Sequence, residues 1–511
     1  MADKTTIEYL EDGRPHAEVK AGVLTSHEDL DDATIIPQFD AHEERRIIRK
    51  IDVRLLPVLA VLYLCSYLDR SNIGNAKIAG MYEDLELYGL RYNTVVAVFF
   101  VTYALFEVPS NIMLKIVRPS IWLAILSFSW GTVMTLMGVV QSYHGMVAAR
   151  FFFGLTEAGF FPAATYLLSL WYKRYEMQTR MALFYSAASL AGAFSGLLAF
   201  AIEKMDGVAG LAAWRWIFIL EGLVPVAISF TLYWVLPDSP ATARFLTKEE
   251  RLFATNRLNI NTIVGHAQAI NSDKIGMRHI KAAFGDWKMW LAIIPYWSCS
   301  IGTYGFTATA PTAIEQLGYT SAHAQLMTIP IYAFALIVTL ILSVWADRHK
   351  QRTPFIMIGV VMGLIGFLGE LAVPHPRLPG LTYFFFFFIA AGVYAPLPSL
   401  ITFISNNTAP SSKRAVGMAL LIGMGALGGI CGGNIFLAKQ APKYPVGYGV
   451  PLGVSIAGLI STWILRTAYA KENKAKEALL RSEGEESLRQ RYTPQELLDL
   501  GDKSPFYQYT L

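Results

Sequence analysis

Asp69 and Arg70 stand side by side in Tyr67-Leu-Asp-Arg-Ser-Asn-Ile-Gly74, directly after the uncharged stretch 55–68. An ionisable side chain at the centre of such a helix costs about 2.5–3.5 kcal/mol to insert, so it is a candidate for function. Successive helix positions diverge by about 100°. If one of the two lines a cavity, the other must face a packed helix. Arginine offers a rigid fork of donors that matches a carboxylate. An aspartate in a partly dry pocket can carry a proton. The competing reading is a salt-bridged pair at the outer end of a short helix.

A second constellation lies in Arg150-Phe-Phe-Phe-Gly-Leu-Thr-Glu157-Ala-Gly159-Phe-Phe-Pro162. Residues seven apart share one helix face, and Gly154 and Gly159 permit close helix contact. Glu157 falls mid-span, where a lone carboxylate is disfavoured. It is expected to alternate between a protonated form and an ion pair with an arginine; a permanent structural ion pair is the alternative. Glu107 and Glu221 are further membrane acids, open to structural and functional readings alike. Tyr304, before Gly305, would place a phenol opposite the first helix if the two halves of the chain are pseudo-symmetric. The glycines from Gly423 to Gly433 read as close packing and not as a phosphate loop, because no strand precedes them. The run 384–388 of phenylalanines reads as lipid-facing bulk.

The elements that position these residues are apolar segments of about 20 residues, each long enough to cross a hydrocarbon core of about 30 Å. They fall at about 53–73, 93–114, 119–141, 145–170, 180–202 and 216–236, and again at about 290–312, 326–346, 353–373, 380–404, 414–437 and 449–469. Hydrophobic residues make up 54% of the 511 and charged ones 16%, too few charges to cover a soluble surface of this size. Helices are the spanning element that satisfies its own backbone in series. The fold expected is an all-α membrane protein of twelve helices in two pseudo-symmetric six-helix halves, 51–236 and 290–470. A polar loop at 237–289 separates them, and polar tails at 1–50 and 471–511 flank them. Such paired halves rock around a midplane site.

Lys and Arg at the helix edges set orientation. Arg45, Arg46, Arg49, Lys50 and Arg54 precede the first helix; Lys173, Arg174, Arg180, Arg348, Lys350, Arg352, Lys413, Arg414, Lys471 and Lys474 follow in alternate loops. Both ends of the chain are therefore expected in the cytosol, the first as a disordered tail to about residue 44, the second as a solvated helix over 471–490. Net charge of +4 is loop bias and points to no nucleic-acid partner. Cys65, Cys299 and Cys431 lie in apolar segments and read as packing residues. No nucleophile–base pair or metal cluster stands out, so neither an enzyme nor a cofactor or metal is expected.

Taken together, Lys50-Ile-Asp-Val-Arg-Leu-Leu-Pro57, Tyr67 to Asn75, Phe106-Glu-Val-Pro-Ser-Asn111, Trp214-Arg-Trp-Ile-Phe, Glu221-Gly222, Asn406-Asn407, Lys413-Arg414 and Leu500-Gly-Asp-Lys-Ser-Pro505 resemble the major facilitator superfamily. Within it, they are similar to the fungal allantoate and nicotinate permease branch of the anion:cation symporters. The superfamily loop motif survives as Ser343-Val-Trp-Ala-Asp347-Arg348, a gating loop, whereas in the first half Lys115 stands where its acid would be. The resemblance implies an anion-binding first-helix Arg70 and proton-coupling acids at Asp69 and Glu157, with Arg150 assisting. Tyr304 and Asn72 complete the expected substrate contacts. The seventh helix departs from the branch with Thr307-Ala-Thr-Ala-Pro311, so the pocket is expected to take a different ligand from that of the best-known permeases.

The resulting expectation is a proton-coupled importer of a small organic anion, a monomer in the plasma membrane, with substrate, protons and lipid as its partners. The alternative is an efflux carrier for an organic acid or drug, against which the fifth helix, Ala191-Gly-Ala-Phe-Ser-Gly196, lacks a Gly-Pro pair. A sensor on the same fold would need a longer cytosolic extension.

Overall fold

The computed structural model describes residues 39–173, 175–263, 277–319, 321–374, 377–493, 496–497 and 500–511. Its first half contains α1 (Ala41–Ala76), α2 (Arg91–Ile116) and α3 (Pro119–Met137). These are followed by α4 (Tyr143–Ser169), α5 (Met177–Glu203) and α6 (Ala213–Val235). The second half contains α7 (Trp287–Glu315), α8 (Ser321–His349) and α9 (Thr353–Ala372). It closes with α10 (Pro379–Asn406), α11 (Ser412–Ile435) and α12 (Pro445–Glu483). Among the described residues, eleven helices are long and apolar enough to cross a membrane. Helix α7 has the length, at 29 residues, but Ser298, Ser300, Thr303, Thr307, Thr309 and Thr312 dilute its apolar content. The twelve-helix expectation holds.

Two helices break at corresponding places. Helix α4 stops at Glu157 and resumes at Phe160; α10 stops at Tyr394 and resumes at Pro396. Pro162 and Pro396 explain both, since each lacks the N–H that would continue the ladder. Each break leaves a polar side chain at the end of a segment in the middle of its span.

One face of the bundle, here the near face, gathers the starts of α1, α5, α7, α9 and α11. Arg180 Nη2 pairs with Asp52 at 3.0 Å, Lys173 Nζ with Glu44 at 3.3 Å, and Lys413 Nζ with Asp286 at 2.8 Å. Asp40 caps α1, its Oδ1 accepting the N–H of His42 and of Glu43 at 2.7 Å each. The Glu43 amide above all holds this carboxyl below the usual aspartate range. The expectation of a disordered tail to about residue 44 falls largely outside the described residues, and from Ala41 onward the chain is helix. Arg174 also lies outside them.

The solvated helix expected over 471–490 is found as largely exposed helix, α12 running on to Glu483 and a short helix following over Glu485–Arg491. Beyond it, the segment from Gly501 to Leu511 is largely buried on the near face of the second half. Asn407 clamps Thr510 through both backbone groups, at 2.8 and 2.7 Å. Asn473 does the same to Tyr509, at 2.9 Å twice. Lys413 reaches both Asp502 oxygens at 3.0 Å, and the Arg352 N–H donates to the Leu511 carbonyl at 2.6 Å. Paired through its backbone at Tyr509, Thr510 and Leu511, this segment binds as a strap.

The halves meet along α5 with α8 and along α2 with α11. A Cβ on Gly192 of α5 would stand 3.2 Å from the Tyr332 ring, and one on Gly429 of α11 would stand 2.3 Å from Phe100. Five bonds cross these seams at the near face, steadied by an Arg352–Asp347 ion pair within the second half. Thr179 donates to Asp347 through N at 2.8 Å and Oγ1 at 2.6 Å. Arg352 Nη1 donates to Gln178 at 2.6 Å and to Asp347 at 2.7 Å. Gln178 also donates to Ser399, and Asn111 Nδ2 donates to the Ala415 carbonyl at 2.5 Å. Arg348 is exposed beside this lock.

Candidate functional site

The first-helix pair splits across two environments, as a 100° rotation requires. Arg70 turns to the space between the halves, and its Nε donates to Glu157 Oε1 at 2.7 Å. Nη1 donates to the Tyr304 phenol at 3.1 Å. Its guanidinium carbon lies 4.7 Å from the centre of the Tyr103 ring, a cation–π arrangement suited to a poorly hydrated charge. Glu157 is fully buried at the end of the first α4 segment. The free carbonyls of that segment disfavour a negative charge there; Arg70 offsets them, and Ser66 Oγ adds a hydrogen bond at 2.5 Å.

Asp69 turns the other way, into the packed interior of the first half, and accepts from Trp130 Nε1 at 3.2 Å. Its second oxygen has no hydrogen-bond partner and is buried. Asn72, one turn on, shares that buried face and accepts only a long bond from Asn75, at 3.5 Å. It does not line the space between the halves.

Arg150 does not pair with Glu157. It is buried, with its guanidinium 5.1 Å from the Phe99 ring centre and 5.5 Å from that of Phe153, and Nε lies 3.5 Å from the Val95 carbonyl. Seven-residue spacing put both on one face, but Arg70 from α1 occupies the carboxylate first.

The inter-half cavity measures only about 40 Å³ and is lined by Tyr63, Tyr67, Arg70, Phe161, Tyr103, Tyr185, Tyr296, Ser300, Thr303, Tyr304, Leu397, Ile422 and Ala426. Arg70 is the one charged side chain in that lining. At roughly 10–15 Å³ per water, the cavity holds about three waters in this conformation and has no room for an organic substrate. Tyr67 and Tyr394 join across it by their hydroxyls at 3.0 Å, and Thr307 meets Tyr394 at 3.2 Å. Of the phenols around Arg70, Tyr304 is expected there from the sequence and Tyr63, Tyr67 and Tyr103 are not, although Tyr63 and Tyr67, four apart, already share the helix face of Arg70.

Two parallel six-helix bundles joined by glycine-lined seams, with one guanidinium in a small central cavity, have the architecture of a membrane transporter. The chain belongs to the Major Facilitator Superfamily, whose profile matches residues 59–433. It is 37% identical over 93% of its length to the MFS-type transporter cnsO of Penicillium expansum, covering 92% of that protein. It is also 32% identical over 87% of its length to the high-affinity nicotinic acid transporter of Saccharomyces cerevisiae, covering 82% of it. Among solved structures, the proton:xylose symporter XylE superposes with a TM-score of 0.63 at 14% identity, over 81% of this chain and 96% of that one.

Proposed function

We propose that this chain imports a small organic anion, of the nicotinate-like carboxylate class, together with protons. The observation that carries the reading is Arg70, a lone guanidinium at the cavity with Nη2 buried and unpartnered. A buried charge-assisted donor left open is costly, and a substrate carboxylate satisfies it in the bidentate geometry arginine favours. Glu157 already holds Nε, so it competes with that carboxylate. Protonation of Glu157 weakens its grip and frees the fork for substrate, which couples the two ligands with positive sign. Asp69, behind Arg70, is the second proton carrier; Tyr304 positions the fork. The near face is the cytosolic one, and the lock made by Asp347, Arg352, Gln178 and Thr179 closes it in the state seen here. The plasma membrane is the expected location.

Uptake into proteoliposomes tests this, using labelled nicotinate and a panel of other carboxylates at two external pH values. Concentration of one carboxylate under an inward proton gradient, lost on collapse of that gradient, is expected. Proton release on substrate binding would overturn import and favour an exporter.

A further inference from the structure

Glu107 has no role in the scheme above. It sits on α2, wholly buried, with neither carboxylate oxygen in a hydrogen bond. Opposite it, α11 presents Gly423: a Cβ there would lie 3.0 Å from Glu107 Oε2 and 3.2 Å from the Ala104 carbonyl. One turn nearer the near face, Asn111 bonds the Ala415 carbonyl across the same seam. The carboxyl is therefore shut between the two halves, at a seam that must part if the near face is to open. A carboxylate with no donor in such a place is strongly penalised, and the usual outcome is that it takes up a proton.

The groups around it supply little compensation. On α1, Arg70 attracts a charge at Glu107, but its Nε and Nη1 are held by Glu157 and Tyr304 and no donor reaches either Glu107 oxygen. The phenols near it are Tyr103 on its own helix and Tyr296 on α7. On α4, Glu157 is held by Arg70, and Arg150 stacks on Phe99 and Phe153; Tyr143, His144 and Tyr166 are its other titratable residues. Helix α3 carries no titratable residue. On α11, Lys413 is engaged by Asp286 and Asp502 and Arg414 by the Thr408 carbonyl; Cys431 lies two turns beyond Gly423.

We propose that Glu107 is a proton-binding site on the α2–α11 seam, separate from the Arg70–Glu157 pair, which holds its proton while the seam is shut and releases it when the seam opens to the near face. Helix α11 packs over the carboxyl at this seam, so parting the seam hydrates it and lets it ionise. Ionisation in turn resists closure, because the charge would have to be buried again. This site neither binds substrate nor depends on the import reading.

Infrared spectroscopy of the reconstituted, substrate-free protein reads the proton directly, as the carbonyl stretch of a protonated carboxyl. Glu107→Gln should remove one such component at neutral pH, and Gly423→Ala, which keeps the acid, should shift it. A short thiol cross-linker between Asn111→Cys and Ala415→Cys should hold the seam shut. The Glu107 component should then persist to a pH about one unit or more higher than in the same variant left uncrosslinked, a tenfold change in proton affinity. An unchanged carboxyl spectrum in Glu107→Gln would overturn the site, and identical titration with and without the cross-link would overturn its link to the seam. Neither result depends on whether the protein imports anything.

Discussion

Corresponding places in the two halves hold different chemistry. Across α1 and α4 the breaking point of the fourth helix carries an ion pair, Arg70 with Glu157 at 2.7 Å. Across α7 and α10 the matching break carries a neutral pair, Thr307 with Tyr394 at 3.2 Å. Pseudo-symmetry has kept the kink and the inward-facing polar group while the charge has stayed on one side only. An ion pair responds to a proton and to an anion; a hydroxyl pair responds to neither. On the function proposed above, the first half holds the switch, and the second supplies the surface against which it turns.

The largest effect is expected from breaking the ionic side. Removing one partner of a buried pair typically costs about 3–5 kcal/mol, so Arg70→Ala should lower uptake by about 100-fold or more while surface expression persists. Arg70→Lys keeps the charge and loses the fork, and should still fall by more than tenfold. Near-normal uptake in either would sink the assignment.

Next comes the pH response. As external pH falls, Glu157 gains a proton, releases Arg70 and raises the apparent affinity for an anion that remains ionised; as pH rises, affinity weakens. Glu157→Gln should flatten that profile, binding equally at both ends, and should retain exchange while losing uphill accumulation. Titration of substrate binding on purified protein separates the two. If the glutamine variant keeps the slope, the coupling lies elsewhere.

The neutral side should be softer. Tyr394→Phe and Thr307→Val remove one modest hydrogen bond each, about 0.5–1.5 kcal/mol, and should change transport by less than about tenfold without altering its pH dependence. A pH-dependent phenotype there would erase the contrast between the halves.

Smallest is the strap. Asn407→Ala removes two bonds to Thr510 on the near face. It should lower the melting temperature measurably, and substrate affinity should stay within about twofold, as no substrate contact is touched.

Much of the fold was legible because a bilayer leaves few options: uncharged runs near 20 residues, their basic edges and the polar middle locate the helices. Arg70 and Glu157 stood out as ionisable groups inside those runs. Their partnership did not, since periodicity assigns a face and says nothing of which neighbour arrives there from another helix. Arg150 shares a face with Glu157 yet stacks on phenylalanines, and Asp69 beside Arg70 finds Trp130 instead. The strap was illegible for a related reason. Nothing in the spacing of residues 501–511 names the long-range partners, such as Lys413 and Asn407, that make it an inside segment.

The hydroxyls that thin the apolar content of α7 bear on how the protein is made. A segment with Pro295, Pro311 and six serines or threonines facing or flanking its core partitions weakly into lipid by itself. During synthesis it must linger at the translocon until a more apolar partner arrives, and the strongly apolar α8 is the next to emerge. The two should enter as a hairpin. A ribosome arrested after Glu315 would leave α7 unintegrated, whereas one arrested after His349 would not.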